Sequence, residues 1–152
     1  MNEKTLDRVL ATVIQREAEA YDFYMGLRQK ITDAQAQETL TFLASEEQKH
    51  KAFLEAYRDG KYSGALRMNA VVDYKIAEYL DKPDPDKNLQ SKDVYLIAAH
   101  RELNSYNFYT ELAQLQPAGE VKDTLLKMAN EEKKHKEKVE YLYANTAFAE
   151  SF

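Results

Sequence analysis

The sequence predicts an all-α protein, folded as a four-helix bundle of two antiparallel helix hairpins joined by a long crossover. The chain has 152 residues with only four Gly and three Pro, and a shortage of residues that interrupt helices favours an all-helical fold. Apolar residues recur at alternating steps of three and four along four long stretches, which is the helical period. These stretches form two pairs, separated by a long connection. We therefore expect a single domain, residues 1–152.

The first hairpin is predicted over about residues 2–58. Its first helix is expected from about Asn2 to Lys30, because apolar side chains follow one helical stripe through this stretch. Its second helix is expected to start near Thr32, where the sequence TDAQ has the spacing of a capping box.

The crossover is predicted over about residues 59–90, with the turn-rich sequences DGKYSG and DKPDPDKN and a short helix around VVDYKIAEYL. The second hairpin follows over about residues 91–146. Ser91 is the predicted N-cap of its first helix, with Asp93 in the first turn, and its second helix follows the break QPAGE. If the crossover runs the length of the bundle, the helices on either side of it lie parallel, and a pseudo-twofold axis relates the hairpins.

An internal repeat links the two hairpins. The single offset that places Glu17 on Glu102, which we call the repeat offset, superimposes acids, aromatics and histidines of the same type. Generic amphipathic helices would match in apolar phase but not in the identity of these residues. The matched pairs include Glu17 with Glu102, Phe23 with Phe108, Tyr24 with Tyr109, Glu46 with Glu131, Glu47 with Glu132, and His50 with His135.

Each predicted core stripe contains charged or polar residues where Leu or Ile is expected. A glutamate in phase with leucines on both sides calls for an explanation, because burying an ionised carboxylate costs several kcal/mol unless it is compensated. The residues concerned are Glu17, Glu47, His50, Glu102, Glu132 and His135.

The positions of these acids relative to the turns predict that they meet. Glu17 and Glu47 are equidistant from residue 32, and Glu102 and Glu132 are equidistant from Pro117. Residues equidistant from the turn of an antiparallel hairpin lie at the same height. With the pseudo-twofold axis, four carboxylates and two imidazoles are therefore expected to converge at the middle of the bundle.

Such a cluster predicts a site for two metal ions. Without a cation its carboxylates would repel one another, whereas two divalent ions would neutralise them. The sequence Glu-x-x-His, present as Glu47–His50 and Glu132–His135, places a carboxylate and an imidazole on one helix face about one turn apart. Oxygen-rich ligands with one His per metal suit Fe or Mn better than a closed zinc site. We expect two Fe ions, with Mn or Zn as possible substitutes.

The sequence around these residues resembles the rubrerythrin-like branch of the ferritin-like di-iron carboxylate superfamily. The resemblance lies in EAEAYDFY followed by LASEEQKH, and in ELNSYNFY followed by MANEEKKH, and it covers nearly the whole chain. It implies a ferritin-like four-helix bundle and a non-haem di-iron centre that uses the six residues above as ligands. By the resemblance and by helix phase, Glu47 and Glu132 would bridge the metals, and Glu17 and Glu102 would be terminal.

The resemblance also implies an activity and partners. The first hypothesis is a di-iron oxidoreductase that reduces hydrogen peroxide, or dioxygen, with electrons from a separate redox protein; a homodimer is the family expectation. This chain departs from the rubrerythrin pattern at two points that concern this hypothesis. Ser105 stands where rubrerythrins proper carry a further carboxylate, and the chain has no Cys for a rubredoxin domain.

Two other classes of function stay open at this point. The second hypothesis is an iron-binding or ferroxidase protein for iron handling, although the end of the chain, TAFAESF, is too short for the fifth helix of a storage cage. The third is a structural or interaction bundle whose acids are solvated. It leaves the coincidence of phase, height and repeat unexplained.

Composition excludes several further classes. A net charge of −5 without a basic patch disfavours nucleic acid as a partner, and no apolar run is long enough to span a membrane. Zero Cys excludes disulfides and thiolate metal sites and fits a reducing cytoplasm. The charged start MNEKTLDRVL lacks the apolar core of a signal peptide. We expect a cytoplasmic protein.

Residues beside the six candidate ligands have two interpretations each. Glu46 and Glu131 are either solvated or accept hydrogen bonds from the histidine of the other hairpin. Tyr24 and Tyr109 are either packed core residues or hydrogen-bond a ligand carboxylate. His100, two residues from Glu102, points elsewhere and is expected at a surface or interface. The lysines around both Glu-x-x-His sequences are expected on a solvated face.

Overall fold

The prediction of an all-helical protein is confirmed. The computed structural model describes residues 3–60, 73 and 75–147, with side chains from residue 7 onward, and these residues contain no strand. No helix within these ranges is long and apolar enough to cross a membrane. The described residues form five helices, which are α1 (Glu3–Arg28), α2 (Ala34–Arg58), α3 (Ile76–Tyr79), α4 (Ser91–Gln114) and α5 (Glu120–Ala147).

The four long helices pack as two pairs. Helix α1 packs mainly against α2, and α4 packs mainly against α5, while α3 in the crossover contacts α4. Each pair is joined by a short connection, residues 29–33 and 115–119. Consecutive helices joined this way lie antiparallel, so each pair is a helix hairpin within a helical bundle.

Both predicted N-caps are displaced by one residue. Helix α2 is capped by Asp33 and not by Thr32, because the Asp33 carboxylate accepts the backbone N–H of Ala36 at 2.9 Å. Helix α4 is capped by Gln90 and not by Ser91, which is its first helical residue. The Asp93 carboxylate accepts the Gln90 backbone N–H at 2.9 Å and completes a capping box.

The predicted short helix in the crossover is present but has only four residues, Ile76–Tyr79. The first part of the sequence predicted to contain it, and most of DGKYSG, lie outside the described residues. Gly60 has a φ of +70° and ends the turn after α2, a conformation that an L side chain rarely adopts. The first helix ends at Arg28, before the predicted Lys30.

The core consists of two apolar clusters related by the sequence repeat. The first contains Tyr24, Leu40 and Leu43, together with Tyr95 and residues near it in α4. The repeat offset carries the first three of these onto residues of the second cluster, which are Tyr109, Leu125 and Met128. The N-terminal halves of α2 and α4 share the first cluster, so these helices run in the same direction.

The predicted polar residues lie between the two clusters on every long helix. On α1, Glu17 separates Val13 of the second cluster from Tyr24 of the first. On α2, Glu47 and His50 follow Leu43 and precede Leu54 in the same way. The helices thus carry a polar layer across the middle of the core, with apolar packing on both sides.

Candidate metal centre

The polar layer holds all six residues expected to converge, and it buries them. We call this set the Glu/His cluster. Its members come from the four long helices, and none exposes more than 4% of its surface. Ionised groups seldom occupy such positions unless other charges compensate them. The cluster consists of Glu17, Glu47, His50, Glu102, Glu132 and His135.

The cluster divides into two overlapping groups, each with the donor atoms to hold a metal ion. In the first group Glu17 and His50 join Glu47 and Glu132, with one donor atom from each within 4.8 Å of the others. In the second group Glu102 and His135 join the same two glutamates under the same limit. Since Glu47 and Glu132 belong to both groups, they are the residues positioned to bridge.

The imidazole of His50 lies among three carboxylates. Its Nδ1 is 3.2 Å from Oε1 of Glu132, 3.7 Å from Oε1 of Glu17 and 4.0 Å from Oε1 of Glu47. The same nitrogen therefore faces the acid of its own helix, the acid of its hairpin partner and one acid of the other hairpin.

The environment of His135 repeats that of His50 under the repeat offset. Its Nδ1 is 3.4 Å from Oε1 of Glu47, 3.6 Å from Oε1 of Glu102 and 3.8 Å from Oε2 of Glu132. Around both histidines the acid of the other hairpin is nearest, and the acid of the histidine's own helix is farthest. The two rings stack with centroids 5.6 Å apart. The sequence repeat is therefore also a repeat of side-chain geometry.

Several donor atoms of the cluster have no hydrogen-bond partner among the described residues. A buried polar atom without a partner costs about 1–3 kcal/mol, so a group of them at one place indicates a missing partner. Since carboxylate oxygens and an imidazole nitrogen are atoms that coordinate metal cations, a cation fits them and an anion does not. These atoms are Oε2 of Glu17, Oε1 of Glu47, Oε2 of Glu102, Oε2 of Glu132 and Nδ1 of His135.

The carboxyl groups respond to this crowding in opposite ways. Burial, and then the charge of Glu132, raise the pKa of Glu47 and of Glu102 well above the usual value. For Glu132 burial acts in the same direction. Interactions with Glu102, and then with the two imidazoles, outweigh it and lower the pKa of Glu132 well below the usual value. In the metal-free cluster these shifts favour the protonated form of Glu47 and Glu102 and the ionised form of Glu132.

The imidazoles hold protons as well. Burial alone would lower the pKa of His50, but hydrogen bonds with Glu132 and Glu17 raise it to about 10. The pKa of His135 is raised well above the usual value against the same opposing effect of burial, mainly by Glu102. The raised pKa values favour protonated imidazoles in the metal-free protein, and binding of a metal through these nitrogens would displace their protons.

Two tyrosines hold the carboxylates at the ends of the cluster from across the bundle. The Tyr24 hydroxyl donates to Oε1 of Glu102 at 2.8 Å, and the Tyr109 hydroxyl donates to Oε1 of Glu17. Both tyrosines are fully buried. Both interpretations made from the sequence thus hold, since each tyrosine is a packed core residue and also orients a candidate ligand of the other hairpin.

The residues that precede the bridging acids make contacts at the edge of the cluster. Glu131 contributes an oxygen within 4.8 Å of nitrogen atoms of His50 and His135, and its carboxylate accepts a hydrogen bond from Lys134 at 3.3 Å. Glu46 pairs with Lys49 at 3.5 Å. The expected hydrogen bonds from the histidines to these two acids stay a prediction.

His100 lies away from the cluster, as expected. Its Nε2 is 2.7 Å from the carbonyl oxygen of Leu80, so it connects α4 to the residue that follows α3 in the crossover. Ser105 is half-buried on α4 and lines a surface pocket with Arg101 and Asn104.

The expectation for the lysines is wrong at one position. Lys136 exposes only 2% of its surface and forms ion pairs with Asp73, Glu78 and Glu140. Sequence reasoning missed it because Lys136 lies next to His135, in a stretch rich in charge. The position of Glu140 one helical turn after Lys136 was the available signal, but such pairs are common on exposed helices.

No protein-family model matches the chain, and comparison with curated proteins and with solved structures finds no match either. Inference about function therefore rests on the residues and their geometry.

Proposed function

We propose that the protein is a non-haem di-iron oxidoreductase with a ferritin-like bundle of the rubrerythrin type. Its substrate would be hydrogen peroxide, with dioxygen as the alternative oxidant. One observation carries the proposal. Two symmetric groups of carboxylates and imidazole share Glu47 and Glu132 and leave unpartnered donor atoms facing one another in a buried layer.

The chain's residues would divide the binding of two metals between the hairpins. Glu17 and His50 would hold one ion, Glu102 and His135 the other, and the two shared glutamates would contact both. Hydrogen bonds from Tyr109 and Tyr24 fix the terminal carboxylates, so the site is organised before a metal arrives. Two ferrous ions bound there would supply two electrons, one each, enough with two protons to convert one hydrogen peroxide to two waters.

The surrounding core supports this chemistry by excluding bulk water from the polar layer. Apolar clusters lie on both sides of it along the helices. Electrons for repeated turnover would come from a separate redox protein, since the chain has no Cys for an iron–thiolate centre of its own. The cytoplasm and a homodimer remain the setting that we propose.

The proposal is tested by counting metal ions. Anaerobic titration of the metal-free protein with ferrous iron is expected to saturate near two ions per chain, with release of protons as the imidazoles and carboxyls are displaced. Glu47→Gln combined with Glu132→Gln keeps the shape of both bridging side chains but removes their charge. We expect this variant to lose both ions.

A matched control removes two acids from the same helices at exposed positions. Glu38 and Asp123 are also related by the repeat offset, and both are exposed. Glu38→Gln with Asp123→Asn is expected to bind two ions per chain as the parent protein does. Absence of bound metal in the parent protein, or equal binding in both double variants, would contradict the proposal.

The rate of oxidation by different oxidants, and the amount of iron taken up, distinguish a peroxidase from the iron-handling alternative. Anaerobic ferrous protein is expected to oxidise faster with hydrogen peroxide than with air, as followed by its absorbance. Uptake of iron far beyond two ions per chain under air would instead favour a ferroxidase that handles iron. Saturation near two ions per chain would instead favour an enzyme that uses the two ions for repeated turnover.

A further inference from the structure

A polar pocket lies on the face of the bundle where α1 meets α4. Its volume is about 280 Å³, and Arg16 and Glu19 from α1 line it with Arg101, Asn104 and Ser105 from α4. Pockets for drug-sized ligands begin near about 300 Å³, so this one suits a small molecule. Since it opens between the two hairpins, a ligand bound here would contact both.

The two arginines of the pocket are equivalent under the internal repeat. The repeat offset carries Arg16 onto Arg101. The Arg16 guanidinium carbon lies 3.9 Å from the centre of the Phe108 ring, and that of Arg101 lies 4.6 Å from the centre of the Phe23 ring. Each arginine thus lies over an aromatic ring of the other hairpin. Such a cation–π contact holds a guanidinium in place, and N–H groups that do not point at the ring can still bind a ligand.

Neither guanidinium has an acidic partner in the part of the chain that the structure describes. Within the described parts of the chain, no carboxylate forms an ion pair with Arg16 or Arg101. The acid in the pocket lining is Glu19, whose carboxylate accepts a hydrogen bond from the Gln15 side chain at 3.2 Å. Two unpaired positive charges at one pocket are notable in a chain with a net charge of −5.

From this geometry we infer that the pocket binds a small carboxylate anion. Two guanidiniums and one glutamate give the lining a net charge of +1, which matches a monoanion better than a dianion. A carboxylate fits the paired N–H groups of a guanidinium, and Asn104 and Ser105 add further donors. This inference does not depend on the proposed function, because none of the Glu/His cluster lines the pocket.

Binding is tested on metal-free protein in the presence of a chelator, so that the metal centre plays no part. Sodium acetate is titrated against ¹⁵N-labelled protein, with sodium chloride added to hold the ionic strength constant. The arginine Nε–H and Asn104 side-chain signals are expected to shift and saturate with acetate. Inorganic phosphate, mostly a dianion at about pH 8, is expected to bind more weakly than acetate at that pH because of Glu19.

The matched variants locate the site. Arg101→Gln is expected to weaken acetate binding roughly tenfold or more, because it removes a charged hydrogen-bond donor. Arg101→Lys keeps the charge but loses the paired donors, and it provides the same comparison if the glutamine variant folds poorly. Arg8→Gln changes an exposed arginine of α1, the helix that carries Arg16, and is expected to leave binding unchanged.

Three results would overturn the inference. Shifts that rise linearly with acetate, or that appear equally with chloride, would show that no site exists. Saturable binding that persists in Arg101→Gln would place the site elsewhere. Tighter binding of phosphate than of acetate would overturn the assignment to a carboxylate. Loss of metal binding in a separate titration would contradict the proposed function alone.

Discussion

Two groups of carboxylates in this protein, one buried and the other partly exposed, differ in where their cation comes from. In the crossover region, Lys136 places its ammonium 2.7 Å from Asp73, 2.8 Å from Glu78 and 3.0 Å from Glu140. We call these four residues the lysine-centred cluster. Each of the two groups of the Glu/His cluster that could hold a metal ion also brings three acids together, but it contains no Lys or Arg. In place of a lysine, the Glu/His cluster contains the His50 imidazole, whose pKa is raised, and carboxylate oxygens that have no hydrogen-bond partner among the described residues.

The difference shows that converging acids alone do not indicate a metal site. The three oxygens of Asp73, Glu78 and Glu140 lie within 4.8 Å of one another, as metal ligands would. The Lys136 ammonium already satisfies them, and the Ala77 backbone N–H donates to Glu140 at 2.8 Å. What distinguishes the Glu/His cluster is its unsatisfied donor atoms.

Removing the Lys136 ammonium is expected to lower the free energy of unfolding more than any other substitution considered below. Lys136→Met leaves three acids close together around a buried position, and breaking a buried ion pair on one side costs about 3–5 kcal/mol of unfolding free energy. Urea unfolding measures this loss. The number of metal ions bound per chain is expected to remain near two, because the Glu/His cluster is unchanged.

Lys51 provides the control for that experiment. The repeat offset carries it onto Lys136, and it precedes Glu55 as Lys136 precedes Glu140, but it is partly exposed. Lys51→Met is expected to change the unfolding free energy by no more than about 0.5 kcal/mol. Equal effects of the two substitutions would remove the contrast between the clusters.

The second prediction concerns pH. The pKa of His50 is raised to about 10 in the folded protein, and an unfolded histidine titrates near about 6.5. The folded metal-free protein therefore holds more protons between these values, and its stability falls as pH rises, by about 1.4 kcal/mol per pH unit for each extra proton. Unfolding midpoints in urea at a series of pH values measure the slope.

The lysine-centred cluster behaves differently over the same range. The pKa of Lys136 is raised: burial acts against this, but the hydrogen bonds with its three acids outweigh it. Its contribution is complete below the unfolded lysine pKa of about 10.4 and is lost as pH rises through the higher folded value. Lys136→Met should thus keep the slope between the unfolded and folded pKa values of His50, whereas His50→Gln should reduce it. A slope that is unchanged in His50→Gln would contradict this assignment.

The smallest expected effect tests the symmetry of the Glu/His cluster. Tyr24→Phe and Tyr109→Phe each remove one hydroxyl that donates to a terminal carboxylate of the other hairpin. Each is expected to cost about 1–2 kcal/mol of unfolding free energy and to leave two metal ions bound per chain. Thermal unfolding and metal analysis measure both.

The symmetry of the cluster is tested by comparing the losses of unfolding free energy in Tyr24→Phe and Tyr109→Phe. Similar losses would agree with the repeated geometry, and a difference greater than about 1 kcal/mol, the size of a typical hydrogen-bond contribution, would contradict functional equivalence of the two hairpins. Tyr79→Phe is the control, because Tyr79 is 81% exposed and a surface hydroxyl contributes little.

Much of the candidate site could be predicted because helical periodicity shows which face of a helix each residue lies on, as well as showing that the segment is helical. Glu17 and Glu47 fall in phase with leucines and at one height from the turn, so their burial and their proximity followed from spacing. The same reasoning placed Tyr24 and Tyr109 on the core face. It left open which group each hydroxyl would reach, because the partner lies in the other hairpin.

Details at helix ends were less predictable. Asp33 and Gln90 are the caps in place of Thr32 and Ser91, since neighbouring polar residues can all cap a helix and the backbone geometry selects among them. The short helix of the crossover, α3 (Ile76–Tyr79), was expected within VVDYKIAEYL, but its bounds were not predicted. A helix of about one turn has too few positions for its period to be recognised.

The four long helices, the repeat and the six residues of the Glu/His cluster could all be located from the sequence. These depend on the period of the helix and on identities that recur at the repeat offset, which are local or internally repeated properties of the chain. Tertiary structure decided which charges are buried with a partner. Lys51 and Lys136 occupy equivalent positions in the repeat, but only Lys136 has Asp73 and Glu78 of the crossover against it. Burial depends on what packs over a residue, and no local pattern records that.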